Sequence, residues 1–242
     1  MQQVNVDAVL TARDVHGPTV DGKVAVVIDV LRATSTITTA LANGCTGVFP
    51  VLSPEEGHEL AASFSPGSYV LGGERGGLKI QGFDLGNSPR EYTPEQICGR
   101  ALIMTTTNGT LAIRNCHSSY RLYVSSLLNA PSVAKAAARH GRDVMLVCSG
   151  THGIFSLEDA YCAGMVAQEL RAGGAHLSDL AEACRIIFAG YSTSPLDLLR
   201  LAEHGKELLD IGFPEDLEYC ARAGSLAVVP VLLDGKVVVE TP

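Results

Sequence analysis

The chain lacks the features that mark nucleic-acid-binding and membrane proteins. It has no run of Lys or Arg, and 26 acidic residues outnumber 18 basic ones, for a net charge of −8. A broad nucleic-acid surface is therefore not expected, although a few arginines can still attract a small anion to one pocket. The stretch MQQVNVDAVLTARDVHG carries Asp and Arg and contains no long apolar run. We therefore expect neither a signal peptide nor a membrane span.

Zinc sites and disulfides are equally unexpected. The seven cysteines are scattered and form no C-x-x-C pair, which is typical of reduced, mostly buried thiols in a cytoplasmic protein. Only 18% of the residues are charged and 46% are hydrophobic, a composition that indicates a compact globular chain. Because no internal repeat or low-complexity linker interrupts it, residues 1–242 are predicted to form a single α/β domain.

The common glycine-rich phosphate loops are incomplete. The stretch GGERGGLKIQGFDLGNSP, residues 72–89, has the first glycine spacing of a P-loop, but Leu78 stands where that motif needs Lys. The G-x-G-x-x-G dinucleotide pattern is also missing. We expect these glycines instead to let the backbone approach an anionic ligand, and to turn the side chains of Glu74 and Arg75 towards it.

Two motifs for covalent phosphatases fail as well. A cysteine phosphatase needs an arginine six residues after its nucleophile, and Cys148 is followed at that distance by Ile154. The D-x-D motif of aspartyl-phosphate enzymes fails because Leu31 stands where the second acid should follow Asp29. Neither of these two phosphatase types is therefore predicted.

Short apolar runs alternate with helical patterns along the chain. The predicted strands cover residues 24–28, 47–51, 69–71, 101–104, 122–125, 144–148, 226–229 and 237–239. The predicted helices cover residues 34–42, 53–64, 129–141, 156–170, 177–191, 195–209 and 214–223. This order predicts an α/β fold: a mixed β-sheet with helices on both faces and a helical section near the C-terminus.

The first predicted strand ends in VIDVLRATST, which delivers Asp29, Arg32 and a group of hydroxyls. Ligand sites in open α/β sheets lie beyond the carboxyl ends of strands, and the N–H groups of the following helix favour an anion. The alternative is that Asp29 and Thr34 only cap that helix, but a cap does not require Arg32.

Two further strands end in polar loops. The stretch TTTNGT has two interpretations. Asn108-Gly109 is either the turn of a hairpin or part of a strand–turn–helix in which Thr107, Asn108 and Thr110 surround an anion. In CSGTHGIFSLEDA, Ser149 and His152 belong to the loop before a helix. The histidine is either a general acid or base or a plain polar loop residue.

The acids at the start of that helix also have two interpretations. Glu158 and Asp159 either complement the helix dipole, with Ser156 as a loose capping box, or face the pocket and hold a cation. Carboxylates with oxygen donors and no His/Cys cluster suit Mg²⁺ better than zinc. Arginines beside a metal suit phosphate or carboxylate groups, which the guanidinium binds with two hydrogen bonds. The short donors Asn87 and Ser88 complete the candidate set.

Five blocks, VIDVLRATSTI, GERGG, GFDLGNSP, TTTNGT and CSGTHGIFSLEDA, together resemble the 2-phosphosulfolactate phosphatase family. They run in order from Asp29 to about Gly164, each at a predicted turn. The resemblance implies a single phosphatase-like domain with a fold unlike the common phosphatases. It also implies a Mg²⁺-dependent enzyme that hydrolyses 2-phospho-3-sulfolactate to 3-sulfolactate and phosphate, a step in coenzyme M synthesis. The motif residues carried over are Asp29, Arg32, Glu74, Arg75, Asn87, Asn108 and Glu158.

These residues suggest the following roles. Asp29 with Glu74 or Glu158 would hold Mg²⁺, one of Arg32 and Arg75 would contact the phosphoryl oxygens, and the other would contact the sulfonate or carboxylate. The substrate-binding donors would be Asn87, Ser88, Thr107, Asn108, Thr110, Ser149 and His152. The attacking group is either a water activated by the metal or a carboxylate, with Asp29 as the first candidate.

Two rival functions remain: a phosphatase for another small phosphorylated carboxylic acid, and a non-catalytic anion-binding module. A pure binder gains little from burying several carboxylates, which favours the enzyme. The expected partner is a small anionic phosphorylated substrate. No nucleic-acid or membrane partner is expected, and a homo-oligomer is left open.

Overall fold

The computed structural model describes residues 3–241, and these contain one mixed β-sheet with helices on both faces. The strands are β1 (Asn5–Val9), β2 (Val24–Ile28), β3 (Gly47–Pro50), β4 (Tyr69–Arg75), β5 (Leu78–Lys79), β6 (Ala101–Thr105), β7 (Arg121–Ser125), β8 (Val144–Cys148), β9 (His176–Leu177), β10 (Pro230–Leu233) and β11 (Lys236–Val239).

Helices follow most of the strands, and four of them come in succession before the last two strands. The helices are α1 (Gly17–Val20), α2 (Ala33–Ala42), α3 (Pro54–Ala61), α4 (Pro94–Ile97), α5 (Gly109–Asn115), α6 (Ala130–Ala138), α7 (Leu157–Ala172), α8 (Asp179–Gly190), α9 (Pro195–Leu201), α10 (Glu203–Asp210) and α11 (Pro214–Cys220). Short 3₁₀ turns cover Ala12–Asp14 and Pro89–Glu91. The predicted fold class, including the helical section near the C-terminus, is confirmed.

The sheet consists of two parallel blocks joined by an antiparallel hairpin. Its strand order is β5-β4-β6-β3-β11-β10-β7-β2-β8-β1-β9. Strands β4, β6 and β3 are parallel to one another, as are β7, β2, β8 and β1, while β10 and β11 pair antiparallel with their neighbours. The two blocks therefore run in opposite senses. Twist of roughly 20–25° per strand step accumulates across the five steps from β6 to β2, which helps the carboxyl ends of both blocks reach one cavity.

Side chains of the central strand β2 supply both halves of the core. Val24, Val26 and Ile28 pack in the cluster that contains α6, α7 and α8, whereas Ala25 and Val27 pack in the cluster that contains α2 and α5. Alternate residues of a strand point to opposite faces, so a continuous apolar run is what a sheet covered on both sides requires. All seven cysteines are free and six of them are buried, as predicted. Within residues 3–241, no helix is long and apolar enough to cross a membrane.

The structure corrects three details of the predicted order. The strand predicted at 226–229 begins instead at Pro230, and those four residues form a connection. Strand β1 was not predicted, because it lies next to the sheet edge and its NVDAV sequence alternates exposed and buried residues. The helix predicted over 195–209 is two helices, since Ala202 has ψ 143° and ends the first of them. Gly205 then lets α10 pack closely, because a Cβ there would lie 1.7 Å from the carbonyl oxygen of Leu199.

Candidate active site

A cavity of about 450 Å³ lies where the loops after β2, β4, β6 and β8 meet helix α10. Most of the residues that line it are polar or charged. The lining residues are Asp29, Leu31, Arg32, Glu74, Gly76, Gly77, Asn87, Thr106, Thr107, Asn108, Thr151, His152, His204, Glu207, Leu208, Asp210 and Ile211. The cavity therefore brings together seven predicted residues from five separate segments of the chain: Asp29, Arg32, Glu74, Asn87, Thr107, Asn108 and His152.

Asp29 directly follows β2 and is held by the start of α2. Its Oδ1 accepts a hydrogen bond from Ala33 N–H at 3.1 Å. The backbone on either side is locked by Thr34, whose hydroxyl accepts from Asp29 N–H at 3.0 Å and donates to Asp29 C=O at 2.8 Å. Gly109, the first residue of α5, lies beside the other oxygen, where a Cβ would come within 2.8 Å of Oδ2. Asp29 Oδ1 thus caps one N–H group of α2, whereas Oδ2 accepts no hydrogen bond within residues 3–241 and is left for the cavity that Asp29 lines.

Burial governs the acidity of Asp29. The side chain is 6% exposed, and removal from water raises its pKa to about 6. His204 and the Ala33 N–H group lower the pKa, and the carboxylates of Glu74 and Glu158 raise it further. Asp29 makes no ion pair with Lys or Arg in the part of the chain that the structure describes. The site therefore holds a buried acid whose negative charge is costly without a cation.

Glu74 is the second carboxylate of the cavity, and three hydrogen bonds fix it. Oε1 accepts from Thr107 N–H at 2.8 Å and from its hydroxyl at 3.0 Å, while Oε2 accepts from Gly77 N–H at 2.9 Å. Gly76 and Gly77 both have positive φ, +59° and +78°, which allows the tight turn from β4 into β5. The glycine-rich stretch thus positions Glu74 through its backbone.

Arg75 is not brought into the cavity. Neighbouring residues of a strand point to opposite faces, so the strand that aims Glu74 inward turns Arg75 outward. Its guanidinium donates to the carbonyl oxygens of Glu74 and Leu52 and to the hydroxyl of Thr105. The expectation that both side chains turn towards the ligand is therefore corrected: only Glu74 does so.

Arg32 is buried at the cavity wall, and three groups orient its guanidinium. Nη1 donates to Asp216 Oδ2 at 2.7 Å, Nη2 donates to the carbonyl oxygen of Gly77 at 2.5 Å, and the Phe213 ring centroid lies 4.4 Å from Cζ. Phe213 and Asp216 both belong to the start of α11, a segment that the sequence analysis did not connect with the site.

The predicted donors fall into two groups. Thr107, Asn108 and Asn87 line the cavity, and the buried Asn87 Oδ1 has no hydrogen-bond partner within residues 3–241. Of the other four donors, His152 also lines the cavity, whereas Ser88, Thr110 and Ser149 are buried but do not line it. Of these, Ser88 donates to Asp216, and Thr110 joins the first turn of α5 to Thr106. The Asn108-Gly109 pair begins a helix rather than a hairpin, which resolves the alternative left open above.

Glu158 and His152 occupy different positions in the site. Glu158 is 2% exposed and does not line the cavity; its Oε1 lies 3.4 Å from His204 Nδ1. His152 lines the cavity but is largely exposed, and its Nε2 lies 3.5 Å from Glu207 Oε2. Asp159, the neighbour of Glu158, accepts from Val30 N–H at 2.8 Å and from Gly150 N–H at 3.1 Å, and so joins the loop after β2 to the loop after β8.

His204 of α10 is a cavity residue that the sequence analysis missed. Its Nδ1 lies between Glu158 Oε1 and the Thr151 hydroxyl, 3.3 Å away, and Nε2 forms no hydrogen bond within residues 3–241. Burial lowers its pKa, but the contact with Glu158 and the charges of Asp29 and Glu207 outweigh burial, so the pKa is raised. The sequence EHGKELLD is that of an ordinary exposed helix and contains no signal that this face meets the strand ends.

The oxygen donors of the cavity fit a Mg²⁺ ion that is bound partly by the protein and partly by water and substrate. Within residues 3–241, no three His, Cys, Asp or Glu side chains are arranged to hold a metal ion together. Mg²⁺ does not need such a set, because it commonly binds one or two carboxylates, several waters and the substrate's phosphate oxygens. Asp29, Glu74 and the unpaired Asn87 Oδ1 are oxygen donors in one cavity. Of the three carboxylates predicted as metal ligands, Asp29 and Glu74 line the cavity, whereas Glu158 does not line it and is turned to His204.

An α/β sheet that delivers buried acids and an oriented arginine to one small cavity defines an enzyme class that acts on a small anion. Comparison with known proteins specifies the class. The family model for 2-phosphosulpholactate phosphatase matches residues 9–235. The chain belongs to this family and is a phosphoric monoester hydrolase.

Curated relatives cover nearly the whole chain. A protein of Symbiobacterium thermophilum named "Probable 2-phosphosulfolactate phosphatase" is 46% identical over 219 residues, which is 90% of this chain and 94% of the relative. A protein of the same name from Clostridium acetobutylicum is 39% identical over 238 residues, or 97% of this chain and the full relative. A third, from Caldanaerobacter subterraneus, is 39% identical over 214 residues, with 88% and 89% coverage.

Proposed function

We propose that the chain is a Mg²⁺-dependent phosphatase that hydrolyses 2-phospho-3-sulfolactate to 3-sulfolactate and phosphate, the reaction type of coenzyme M synthesis. The family and the names of the curated relatives support the substrate. The observation that carries the proposal is the meeting of Asp29, Glu74 and Arg32 in one cavity. Its volume falls in the range of small-molecule sites, about 300–1,000 Å³.

The charge balance of the cavity supports a cation. Asp29 and Glu74 are buried without a basic ion-pair partner in the described residues, and the substrate adds three anionic groups. Arg32 alone cannot balance this set, because Asp216 already neutralises it. When held by Asp29 and Glu74, Mg²⁺ would supply positive charge to the phosphoryl oxygens as a Lewis acid.

Asp29 is the nucleophile in this scheme. Because Oδ1 accepts from Ala33 N–H, Oδ2 is the attacking atom, and Gly109 leaves room beside it. A bond forms from Oδ2 to phosphorus while the bond from phosphorus to the C2 oxygen of the substrate breaks. Water then attacks the same phosphorus, the bond to Oδ2 breaks, and the carboxylate is regenerated.

His204 supplies the proton for the leaving group. The departing alkoxide is strongly basic, so a donor at this oxygen contributes typically 10²–10⁴-fold. Glu158 and Thr151 hold Nδ1, which leaves Nε2 for the substrate. Nε2 gives its proton to the alkoxide in the first step and takes one from water in the second. The raised pKa of His204 favours the protonated form that the first step needs.

Two assays test the proposal. The first compares phosphate release from 2-phosphosulfolactate with release from 2-phospholactate and the phosphoglycerates, before and after chelation with EDTA. We expect 2-phosphosulfolactate to have the highest kcat/KM, EDTA to stop turnover and added Mg²⁺ to restore it. A preference for another acid would instead support the rival phosphatase, and binding without release would support the anion-binding module.

The second assay addresses the nucleophile. Acid quenching during turnover, followed by peptide mass spectrometry, should find phosphate on the peptide that contains Asp29. If rapid-quench samples taken during steady turnover contain unmodified peptide alone, direct attack by water replaces the covalent step.

A further inference from the structure

The start of α11 holds the arginine of the cavity in place although it does not itself line the cavity. Asp216 is 1% exposed and Arg32 is 2% exposed, and their side chains meet at 2.7 Å. Phe213, three residues earlier, lies under the same guanidinium at 4.4 Å. One helical turn thus supplies both the counter-charge and an aromatic face, two groups that bind a guanidinium group well.

Asp216 also holds a second part of the wall. Its Oδ1 accepts from the Ser88 hydroxyl at 2.6 Å, while Oδ2 accepts from Arg32. Ser88 directly follows Asn87, whose buried Oδ1 has no partner within residues 3–241 and which lines the cavity. A single carboxylate therefore connects both the arginine and the Asn87 loop to α11.

The carbonyl oxygen of Gly77 limits the guanidinium from another side. Nη2 donates to it, so the aspartate, this carbonyl group and the Phe213 ring together leave the guanidinium one orientation. An arginine oriented before the ligand arrives loses less side-chain entropy on binding. Its remaining N–H groups can then meet phosphoryl or sulfonate oxygens with two hydrogen bonds.

We propose that Asp216, assisted by Phe213, is the positioning residue that orients Arg32 and the Asn87 loop for the anionic substrate. Asp216 touches no reacting atom. Its removal frees the guanidinium to rotate, which weakens anion binding and misplaces charge during phosphoryl transfer. The role in turnover rests on the proposed function, whereas the role in anion binding does not.

The test compares Asp216→Asn with Glu215→Gln. The asparagine keeps the size and one of the two accepting oxygens of the aspartate but loses its charge. Glu215 is the matched control, because it is the adjacent acid on α11 and pairs with Arg90 at the surface, outside the cavity. We expect kcat/KM for 2-phosphosulfolactate to fall about 10–100-fold in Asp216→Asn and to stay within about twofold of wild type in Glu215→Gln.

Chemical rescue separates positioning from a general structural role. Millimolar methylguanidinium should restore part of the activity of Arg32→Ala, because the aspartate, the carbonyl group and the ring form a site for it. The double variant Arg32→Ala/Asp216→Asn should not be rescued. Asp216→Asn should also cost less activity in the Arg32→Ala background than in wild type, because only the contact with the Asn87 loop then remains to be lost. Equal rescue in both backgrounds, or additive losses, would overturn the proposal.

Binding of inorganic phosphate, measured by calorimetry, tests the role of Asp216 without requiring the protein to be a phosphatase. If the wild-type protein does not hydrolyse 2-phosphosulfolactate, the proposed function fails, and the Kd for phosphate still reports on Arg32. A Kd at least fivefold weaker in Asp216→Asn, with Glu215→Gln unchanged, supports the inference; equal Kd values overturn it. Should Asp216→Asn fail to fold, Phe213→Leu replaces it, with a Kd about 2–5-fold weaker expected and an unchanged Kd counting against the inference.

Discussion

The two sides of the cavity are built differently. The strand-end wall, formed by Asp29, Glu74 and Thr107, is held by three backbone N–H groups and the Thr107 hydroxyl. Asp29 accepts one of these hydrogen bonds and Glu74 accepts three, at 2.8–3.1 Å. The helical wall, formed by the cavity-facing residues 204–211, makes fewer and longer polar contacts, at 3.3–3.5 Å. Rigid placement suits groups that bond to phosphorus, whereas looser placement suits proton transfer and substrate access.

The largest effect should come from the strand-end wall. Asp29→Asn should lower kcat by at least about 10³-fold, because an amide cannot act as the nucleophile. Phosphate release is the measurement, with circular dichroism to confirm the fold and Glu56→Gln, a half-buried acid outside the cavity, as the control. Turnover of the folded variant near the wild-type rate would show that Asp29 does not form the bond to phosphorus.

The helical wall should show a smaller effect that depends on the leaving group. His204→Gln should reduce kcat with 2-phosphosulfolactate by about 10²-fold, because its alkoxide needs a proton. With p-nitrophenyl phosphate, whose leaving group is a weak base, the loss should be less than about fivefold. Equal losses with both substrates would mean that His204 shapes the cavity without donating the proton.

Stability should change in the opposite direction to activity at Asp29. The folded-state pKa of about 6 lies above the unfolded value of 3.8, so the native state binds the proton more tightly. The contribution of Asp29 to the free energy of unfolding is therefore highest below pH 3.8, falls as the pH rises from 3.8 through 6, and stays lower above that. The shift corresponds to on the order of 3 kcal/mol.

The same residue replacement tests this pH dependence. Asp29→Asn should be more stable than wild type at pH 8 in EDTA, and the two should converge near pH 4. Urea unfolding at both pH values measures the difference. A variant that is less stable at pH 8 would show that burial of this charge is not costly.

A few-fold effect is expected at the rim of the helical wall. Glu207 is exposed beside His152, and its negative charge repels a polyanionic substrate. Glu207→Gln should lower KM about two- to threefold at low ionic strength, with kcat unchanged, and the gain should disappear in about 0.5 M salt because of screening. If the effect of Glu207→Gln on KM is the same at low and high ionic strength, the charge of Glu207 does not act on the substrate.

The smallest effect is expected for Arg75, which lies outside both walls. Arg75→Ala should keep kcat/KM within about threefold of wild type, because its guanidinium contacts Leu52 and Thr105 on the other face of the strand. The comparison is with Arg32→Ala, for which a loss of more than about tenfold is expected. Similar losses in both variants would mean that Arg75 reaches the substrate.

The parts of the site that could be predicted share one property. Asp29, Glu74 and Asn108 come after apolar runs, and the carboxyl ends of such strands are where α/β proteins bind ligands. The orientation of Arg75 could not be predicted. The strand before it ends in a glycine-rich turn, and glycines give no alternation of apolar and polar side chains that would show which face Arg75 occupies. His204, Phe213 and Asp216 could not be found, because helices of mixed polarity give no sign of which neighbour they pack against.

The sequence by itself determined the α/β order of elements, the polar loops after the strands and the buried acids within them, because these depend on local periodicity and turn chemistry. Only the tertiary structure decided that Glu158 turns to His204, that Arg75 turns away and that Asp216 of α11 holds Arg32. These contacts join residues 46 to 184 positions apart, or in the case of Arg75 depend on which face of a strand is outward. Such contacts follow from the packing of whole elements, which no local pattern contains.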